Sequence, residues 1–153
     1  MIAPPAGPLL FDTGIYIRLS RGEDYLWLRE DPAVFHRTIL TAVVAAELYA
    51  GTRDHREKRN LDELCQAHNA LGHFSSPSAD AWVETGILLR RARSASGQID
   101  FLNHFRDLLI ALEAVRAKAT LVTENVRDFT RWRSLLASSR KILKLFHPSK
   151  TQS

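Results

Sequence analysis

Four acidic side chains lie among apolar neighbours, and carboxylates in such places can bind a cation. They are Asp12, Glu47, Asp107 and Asp128. A buried carboxylate without a partner is unfavourable by several kcal/mol, so each must be protonated, paired or bound to a cation. Four such groups in one place raise one another's pKa. Their hard oxygen atoms favour Mg²⁺ or Mn²⁺ as the cation.

Each acid also has a purely structural interpretation. Asp12 can cap the helix that follows it, and Asp107 can offset the dipole of its own helix. Glu47 has no Lys or Arg within four residues, so it would need a distant arginine. Asn125 and Asp128 have the spacing of a capping box. No single acid is sufficient to predict a metal site. The prediction depends on the placement of all four acids near one another.

The elements that would position these acids alternate along the chain. Short apolar runs predict strands, and apolar residues at helical spacing predict helices between them. The strands cover residues 8–12, 38–40, 120–123 and 141–146, and the helices cover about 23–30, 41–51, 54–71, 78–93, 103–118 and 126–136. Thr41 and Asp54 are candidate N-caps, Gly51 is a candidate helix end, and residues 75–78 form a predicted break. This order predicts an α/β fold with one parallel sheet and helices on both faces.

The sheet places the acids at one edge. Ligands of parallel sheets bind at the carboxyl ends of the strands. Asp12, Asp107 and Asp128 fall near strand ends or helix N-termini on that edge, and Glu47 shares the inward stripe of its helix with Val43 and Val44. The sequence therefore predicts a metal site there.

The composition restricts the other classes of function. The chain has 153 residues, 45% hydrophobic and 25% charged, which is ordinary for one globular domain. The single cysteine, Cys65, excludes an internal disulfide and a cysteine zinc cluster. No apolar run spans a membrane and no secretory signal begins the chain, so we expect a cytoplasmic protein. We expect an N-terminal extension over residues 1–7, a domain over 8–146 and a flexible tail over 147–153.

The positive charge is mostly arginine, which suits a nucleic-acid partner. Lys and Arg number 21 against 17 Asp and Glu, a net charge of +4. Arginine binds phosphate with two hydrogen bonds and stacks on bases. Each candidate for an RNA backbone contact can equally be an ordinary surface residue, and Trp132 can stack on a base or pack in the core. The candidates are Arg18, Arg21, Arg106, Arg127, Arg131 and Arg133.

Four segments resemble those of PIN-domain ribonucleases, and most closely the VapC toxins of bacterial toxin–antitoxin pairs. They are Leu10–Thr13, Thr41–Gly51, Asp107–Ala111 and Leu121–Phe129. The last segment contains the most specific pattern, Thr-x-Asn-x-x-Asp-Phe. Separations of 35, 60 and 21 residues between successive acids also suit the family. The resemblance covers residues 8–146 and implies a PIN-like, three-layer α/β/α domain.

The resemblance implies a function as well as a fold. Asp12, Glu47, Asp107 and Asp128 would be the catalytic set and hold one or two Mg²⁺ ions, with Mn²⁺ as a possible substitute. Thr13 and Thr123 would be polar neighbours and Asn125 would brace the site. The activity would be endoribonuclease cleavage of transfer or ribosomal RNA, leaving a 5′-phosphate and a 3′-hydroxyl. Relatives are neutralised by a small cognate antitoxin and usually form homodimers.

Three other interpretations compete with this one. A housekeeping PIN nuclease would process RNA without an antitoxin. An aspartic protease is suggested by Asp12-Thr13-Gly14, although those enzymes are rich in β-structure and long helical periodicities dominate here. A binding module with an inactive site would not need all four acids.

Gly14 and the basic segment around His104 and Arg106 depart from the family pattern, which bears on substrate choice.

Overall fold

The computed structural model describes residues 3–96 and 100–148, which contain a parallel sheet of five strands. The strands are β1 (Leu9–Phe11), β2 (Thr38–Thr41), β3 (Phe74–Ser75), β4 (Thr120–Val122) and β5 (Lys144–Phe146). Their order across the sheet is β3-β2-β1-β4-β5, and every neighbouring pair is parallel. The predicted α/β class with a central parallel sheet is confirmed.

Eight helices in the described residues connect and flank the strands. They are α1 (Thr13–Ser20), α2 (Leu26–Glu30), α3 (Pro32–His36), α4 (Ala42–Ala50), α5 (His55–Ala70), α6 (Ala79–Ser96), α7 (Phe101–Arg116) and α8 (Val126–Ala137). Parallel strands need such crossover connections. The strand order runs outward in both directions from β1, which gives the three-layer α/β/α arrangement. In the described residues no helix is long and apolar enough to cross a membrane.

The two central strands bring together residues that are far apart in sequence. Every residue of β1 and β4 is buried, as expected for strands covered on both faces. Phe11 lies opposite Val122 in the register, so the residues that follow them, Asp12 and Thr123, leave the sheet side by side. From β1 the chain adds β2 and β3 on one side of the sheet and then β4 and β5 on the other side. The position between β1 and β4 is therefore a topological switch point, where open α/β sheets bind ligands.

Short polar side chains begin the helices that the sequence predicted. Thr41 accepts a hydrogen bond from the backbone N–H of Val43 at the start of α4, and Asp54 accepts one from that of Glu57 at the start of α5. Gly51 follows the last turn of α4. These capping predictions are confirmed, and each cap satisfies a backbone donor that the first helical turn leaves free.

Several predicted boundaries are wrong. The helix expected from residue 23 begins only at Leu26, because Tyr25 adopts a left-handed conformation with φ of 60°. Pro32 does end α2, but it also begins α3, where its missing N–H is no loss. Strand β3 is not among the predicted strands, and its second residue lies in the predicted break. Helix α6 continues to Ser96, beyond the predicted end at residue 93, and β5 begins at Lys144 instead of residue 141. The predicted domain limits stay predictions, and residues 1–2 and 149–153 lie outside the described residues.

Candidate metal centre

The carboxyl ends of β1 and β4 hold Asp12 in a fixed orientation. Its Oδ1 accepts a hydrogen bond from the backbone N–H of Thr13 at 2.8 Å, and its Oδ2 accepts one from the hydroxyl of Thr123 at 2.8 Å. The backbone N–H of Asp12 donates to the carbonyl of Val122 at 2.9 Å. Asp12 therefore caps α1 and also faces the end of β4, so the structural and functional interpretations both describe it.

Glu47 reaches the same edge from α4. The hydroxyl of Thr13 donates to Glu47 Oε1 at 3.1 Å, which links this carboxylate to the residue beside Asp12. Glu47 Oε2 lies 3.1 Å from Nη1 of Arg106. The distant arginine of the structural interpretation is thus present. This pairing keeps Glu47 near the other acids, because Arg106 precedes Asp107 in sequence and also contacts it.

Helix α7 adds Asp107, whose residue surface is only 5% exposed. Its Oδ1 lies 3.6 Å from Nε of Arg106. Since α7 begins at Phe101, Asp107 lies in the second turn, where the helix dipole stabilises an anion only weakly. Compensation of the dipole therefore does not account for this buried acid.

Asp128 approaches from α8 and is held by Asn125. The side-chain amide of Asn125 donates to Asp128 Oδ2 at 3.1 Å, and no capping bond forms from the Asn125 side chain. The backbone N–H of Asn125 instead donates to the hydroxyl of Thr123 at 3.0 Å. The capping-box interpretation is wrong in its hydrogen bonds, and the role of Asn125 as a brace of the site stays a prediction.

Burial and mutual repulsion disfavour charge on these acids. Desolvation raises the pKa of Asp107 to about 7, Arg106 opposes the rise, and the charges of Asp12, Asp128 and Glu47 add to it. Burial likewise raises the pKa of Asp12, against the hydrogen bonds from Thr123 and Thr13. Burial also raises the pKa of Glu47, against Arg106. A cation bound beside these acids would lower all three pKa values.

The carboxylate oxygens of these acids suit a hard divalent cation, but the Arg106 side chain already contacts two of the acids. Carboxylates from four elements lie close enough to act on one another's charge, and carboxylate oxygens are ligands that Mg²⁺ and Mn²⁺ prefer. However, among the described residues no three His, Cys, Asp or Glu side chains are arranged to hold an ion as they stand. The guanidinium of Arg106 lies between Glu47 and Asp107. An ion that binds these acids would therefore have to draw the carboxylates together and displace the guanidinium from Glu47 and Asp107.

A groove of about 320 Å³ opens beside Asp12, and two predicted arginines line it. Its walls include Gly14, Arg18, Arg21 and Asn125. Nε of Arg18 lies 2.5 Å from Glu124, and Arg21 lies 3.8 Å from Glu23. A Cβ added at Gly14 would meet nothing within 4 Å, so the groove is open at that point.

The other predicted arginines have different surroundings. Arg127, Arg131 and Arg133 are exposed on α8, and none of them lines this groove within the described ranges. The guanidinium of Arg131 lies 4.8 Å from the centre of the Trp132 ring. Trp132 is fully buried, so of its two predicted alternatives core packing is confirmed and base stacking is wrong.

One buried acid was missed by the sequence reasoning. Glu113 on α7 is 1% exposed, accepts a hydrogen bond from the hydroxyl of Ser75 at 2.7 Å and pairs with Arg116 at 3.2 Å. The signal was available, since Glu113 lies between Leu112 and Ala114 as Glu47 lies between Ala46 and Leu48. Its partners make it a structural residue that joins α7 to β3.

Comparison with solved structures identifies the fold. No model of a protein family matches the chain, and no curated protein does. A chain of VapBC2 from Rickettsia felis, bound to a DNA fragment from their promoter, matches with a TM-score of 0.61 and 23% identity over 92% of this chain and 98% of that one. The chain has a PIN-like fold.

Two further structures agree with the PIN-like assignment. FitAcB from Neisseria gonorrhoeae matches with a TM-score of 0.61 and 21% identity, over 92% of this chain and 97% of that one. VapBC-1 from nontypeable Haemophilus influenzae matches with a TM-score of 0.62 and 18% identity, over 91% and 96%. The parallel sheet makes the aspartic-protease interpretation wrong. At these identities the likeness concerns the fold, so the chemistry must be argued from the side chains.

Proposed function

We propose that the protein is a Mg²⁺-dependent endoribonuclease toxin of the VapC type. One observation carries the proposal: Asp12, Glu47 and Asp107 come from three elements and are joined at the switch point by Thr13 and Arg106. A PIN-like fold supplies the setting, and structures of VapBC and FitAB complexes share it.

In this proposal Asp12, Glu47, Asp107 and Asp128 hold Mg²⁺, for which Mn²⁺ can substitute. The bound ion would lower the pKa of a water molecule for in-line attack and offset charge on the transition state. Thr123 and the backbone of Thr13 fix the orientation of Asp12, and the Thr13 hydroxyl orients Glu47. Asn125 holds Asp128. These bonds fix the acids in advance, which limits the reorganisation needed when substrate binds.

The groove beside Asp12 is proposed to hold the RNA backbone. Arg18 and Arg21 on its wall offset the acids, which alone would repel phosphate. Contacts of this kind position a strand without selecting its sequence. Exposed Arg127, Arg131 and Arg133 would contact RNA farther from the cut. Transfer or ribosomal RNA is the proposed substrate class, with a 5′-phosphate and a 3′-hydroxyl as products.

A small cognate antitoxin is proposed as the partner, with a homodimer as the assembly and the cytoplasm as the location. The support is twofold: the similar structures are VapBC and FitAB complexes, and α6 exposes large apolar side chains. Trp82, Val83 and Ile87 are 48%, 65% and 48% exposed on this helix. Apolar side chains grouped on an exposed helix are typical of a protein interface.

Cleavage of total RNA with mapping of the 5′ ends tests the nuclease. In Mg²⁺ the protein is expected to cut at discrete sites, and EDTA should abolish the cuts. Asp12→Asn should abolish them too, whereas Asp80→Asn removes the same charge from an exposed position on α6 and should leave them unchanged. Cleavage that persists in EDTA or in Asp12→Asn contradicts the proposal.

Coexpression tests the antitoxin and separates the toxin from a housekeeping nuclease. The protein alone should arrest growth, and the product of an adjacent small reading frame should relieve the arrest. Val83→Asp should weaken copurification of the two proteins or dissociate the homodimer, because it places a charge in the apolar α6 surface. A protein that is active without arresting growth would favour the housekeeping alternative.

A further inference from the structure

Arg106 occupies a position inside the acidic cluster that a surface arginine would not need. Its Nη1 lies 3.1 Å from Glu47 Oε2, and its Nε lies 3.6 Å from Asp107 Oδ1. One guanidinium therefore faces two acids from different helices. Its side chain is still 40% exposed, so it enters the cluster from the solvent side.

The oxygen atoms that Arg106 faces are those left by the other hydrogen bonds of the site. Both oxygens of Asp12 accept hydrogen bonds, from Thr13 and Thr123. Glu47 Oε1 accepts from the Thr13 hydroxyl, which leaves Oε2 for Arg106. Arg106 therefore lies against the Glu47 oxygen that is free of Thr13, beside a nearly buried Asp107. A cation that binds this oxygen would therefore compete directly with the guanidinium.

We propose that Arg106 is an internal counter-ion that competes with the divalent cation for Glu47 and Asp107. This inference rests on the proposed function, since it concerns the same acids. In the metal-free protein the guanidinium offsets the repulsion between these carboxylates and keeps them together. When the cation binds, the guanidinium leaves toward solvent. Metal affinity is thus set partly by a residue that is not a ligand.

The chemistry of arginine suits this role. A guanidinium stays charged in proteins, so it cannot relieve the competition by losing its proton. Its long, half-exposed side chain can move its charged end into water while its aliphatic part stays packed. Partly exposed ion pairs are weak, which lets a divalent cation displace this one. The cost of displacing it would nevertheless lower the apparent affinity for the cation.

Titration with Mn²⁺ alone, followed by electron paramagnetic resonance, tests the competition. Arg106→Gln is expected to bind Mn²⁺ about fivefold to tenfold more tightly than the wild type, the range expected for loss of a partly exposed charged contact. Arg56→Gln removes the same charge from an exposed position on α5 and should stay within about twofold. Arg106→Lys keeps the charge but not the planar, two-sided contact, and should bind with intermediate affinity.

Thermal unfolding in EDTA provides the second measurement. Without its counter-ion the metal-free Arg106→Gln protein should melt at a lower temperature than the wild type, by about 2–4 °C. Saturating Mn²⁺ should remove that difference. Equal or weaker Mn²⁺ binding by Arg106→Gln and Arg106→Lys overturns the inference and leaves the proposed function standing if the wild type binds. Absence of binding in both the wild type and Arg106→Gln overturns both.

Discussion

Two buried acids on helix α7 show how the same residue class serves different ends. Glu113 is surrounded by partners, since Ser75 and Arg116 both contact its carboxylate within 3.2 Å. Asp107 lies less than two turns earlier, nearly as buried, with one arginine contact at 3.6 Å and three other acids whose charges act on it. Burial alone therefore does not identify a functional acid.

The difference between the two acids lies in what satisfies them. A buried charge that is fully hydrogen-bonded supports the fold, whereas a buried acid that faces like charges has a raised pKa, and the single contact with Arg106 does not cancel that rise. Glu113 connects α7 to β3, whereas Asp107 faces the carboxyl ends of β1 and β4. We therefore expect substitutions at Glu113 to change stability and substitutions at Asp107 to change activity.

The largest expected effect is the loss of RNA cleavage in Asp107→Asn. Removing one carboxylate from a preorganised charged site should lower the cleavage rate by about 100-fold or more. Glu113→Gln should stay within about threefold, because it lies outside the cluster and keeps its shape. Single-turnover cleavage in Mg²⁺ measures both rates, with circular dichroism to confirm folding. Equal losses in the two variants would abolish the distinction.

The next largest effect is on stability, where a substitution at Glu113 should be more damaging than one at Asp107. Glu113→Ala leaves Ser75 and Arg116 without their acceptor and removes buried atoms, which should lower the free energy of unfolding by about 3 kcal/mol. The melting temperature should fall by about 6–12 °C. A shift below about 2 °C in thermal denaturation would show that Glu113 is not the structural acid described here.

A third prediction concerns the pH dependence of the metal-free protein. The pKa of Asp107 rises from 3.8 to about 7, so between these pH values the folded protein holds a proton that the unfolded chain has released. Stability should therefore fall as pH rises through this range. Raised pKa values at Asp12 and Glu47 act in the same direction.

Asp107→Asn should flatten that pH dependence. In EDTA at pH 8 the variant should be more stable than the wild type by about 2 kcal/mol, because it carries no buried charge at position 107. At pH 5 the difference should be small. Melting temperatures across pH 5–8 give the comparison, and parallel curves for the two proteins would contradict the predicted titration.

The smallest predicted effect is at Asn125. Asn125→Ala removes the hydrogen bond to Asp128, which lies near the surface. Cleavage should fall by about fivefold, and the free energy of unfolding should change by less than about 0.5 kcal/mol. If stability fell by more than about 0.5 kcal/mol while cleavage stayed unchanged, Asn125 would stabilise the start of α8 instead of positioning Asp128. Chemical denaturation and cleavage of the same RNA measure the two quantities.

Local sequence patterns predicted the fold class and the capping residues because their causes are local. The fully apolar β1 and the mostly apolar β4 indicate buried parallel strands, and Thr41 and Asp54 stand directly before the helices they cap. The pattern could not reveal β3, since Phe74 and Ser75 are too few to show a period. The left-handed Tyr25 likewise has no signal in its residue type.

The candidate site could be predicted only in part, because its partners are distant. Apolar neighbours identified Asp12, Glu47 and Asp107 as candidates. The position of Asp12 directly after β1 also predicted that it lies at the carboxyl edge of the sheet. The same reasoning could not show that Arg106 turns toward Glu47, since that contact spans two helices. Nor could it show that Glu113 finds Ser75, 38 residues away. Such partners decide whether a buried acid is structural.

Direct measurement of Mn²⁺ binding tests the central claim, that Asp107 belongs to a cation site and Glu113 does not. The account predicts that the wild type and Glu113→Gln bind Mn²⁺ with the same affinity, and that Asp107→Asn binds at least about tenfold more weakly. Binding that is absent from the wild type, or unchanged in Asp107→Asn, would contradict it.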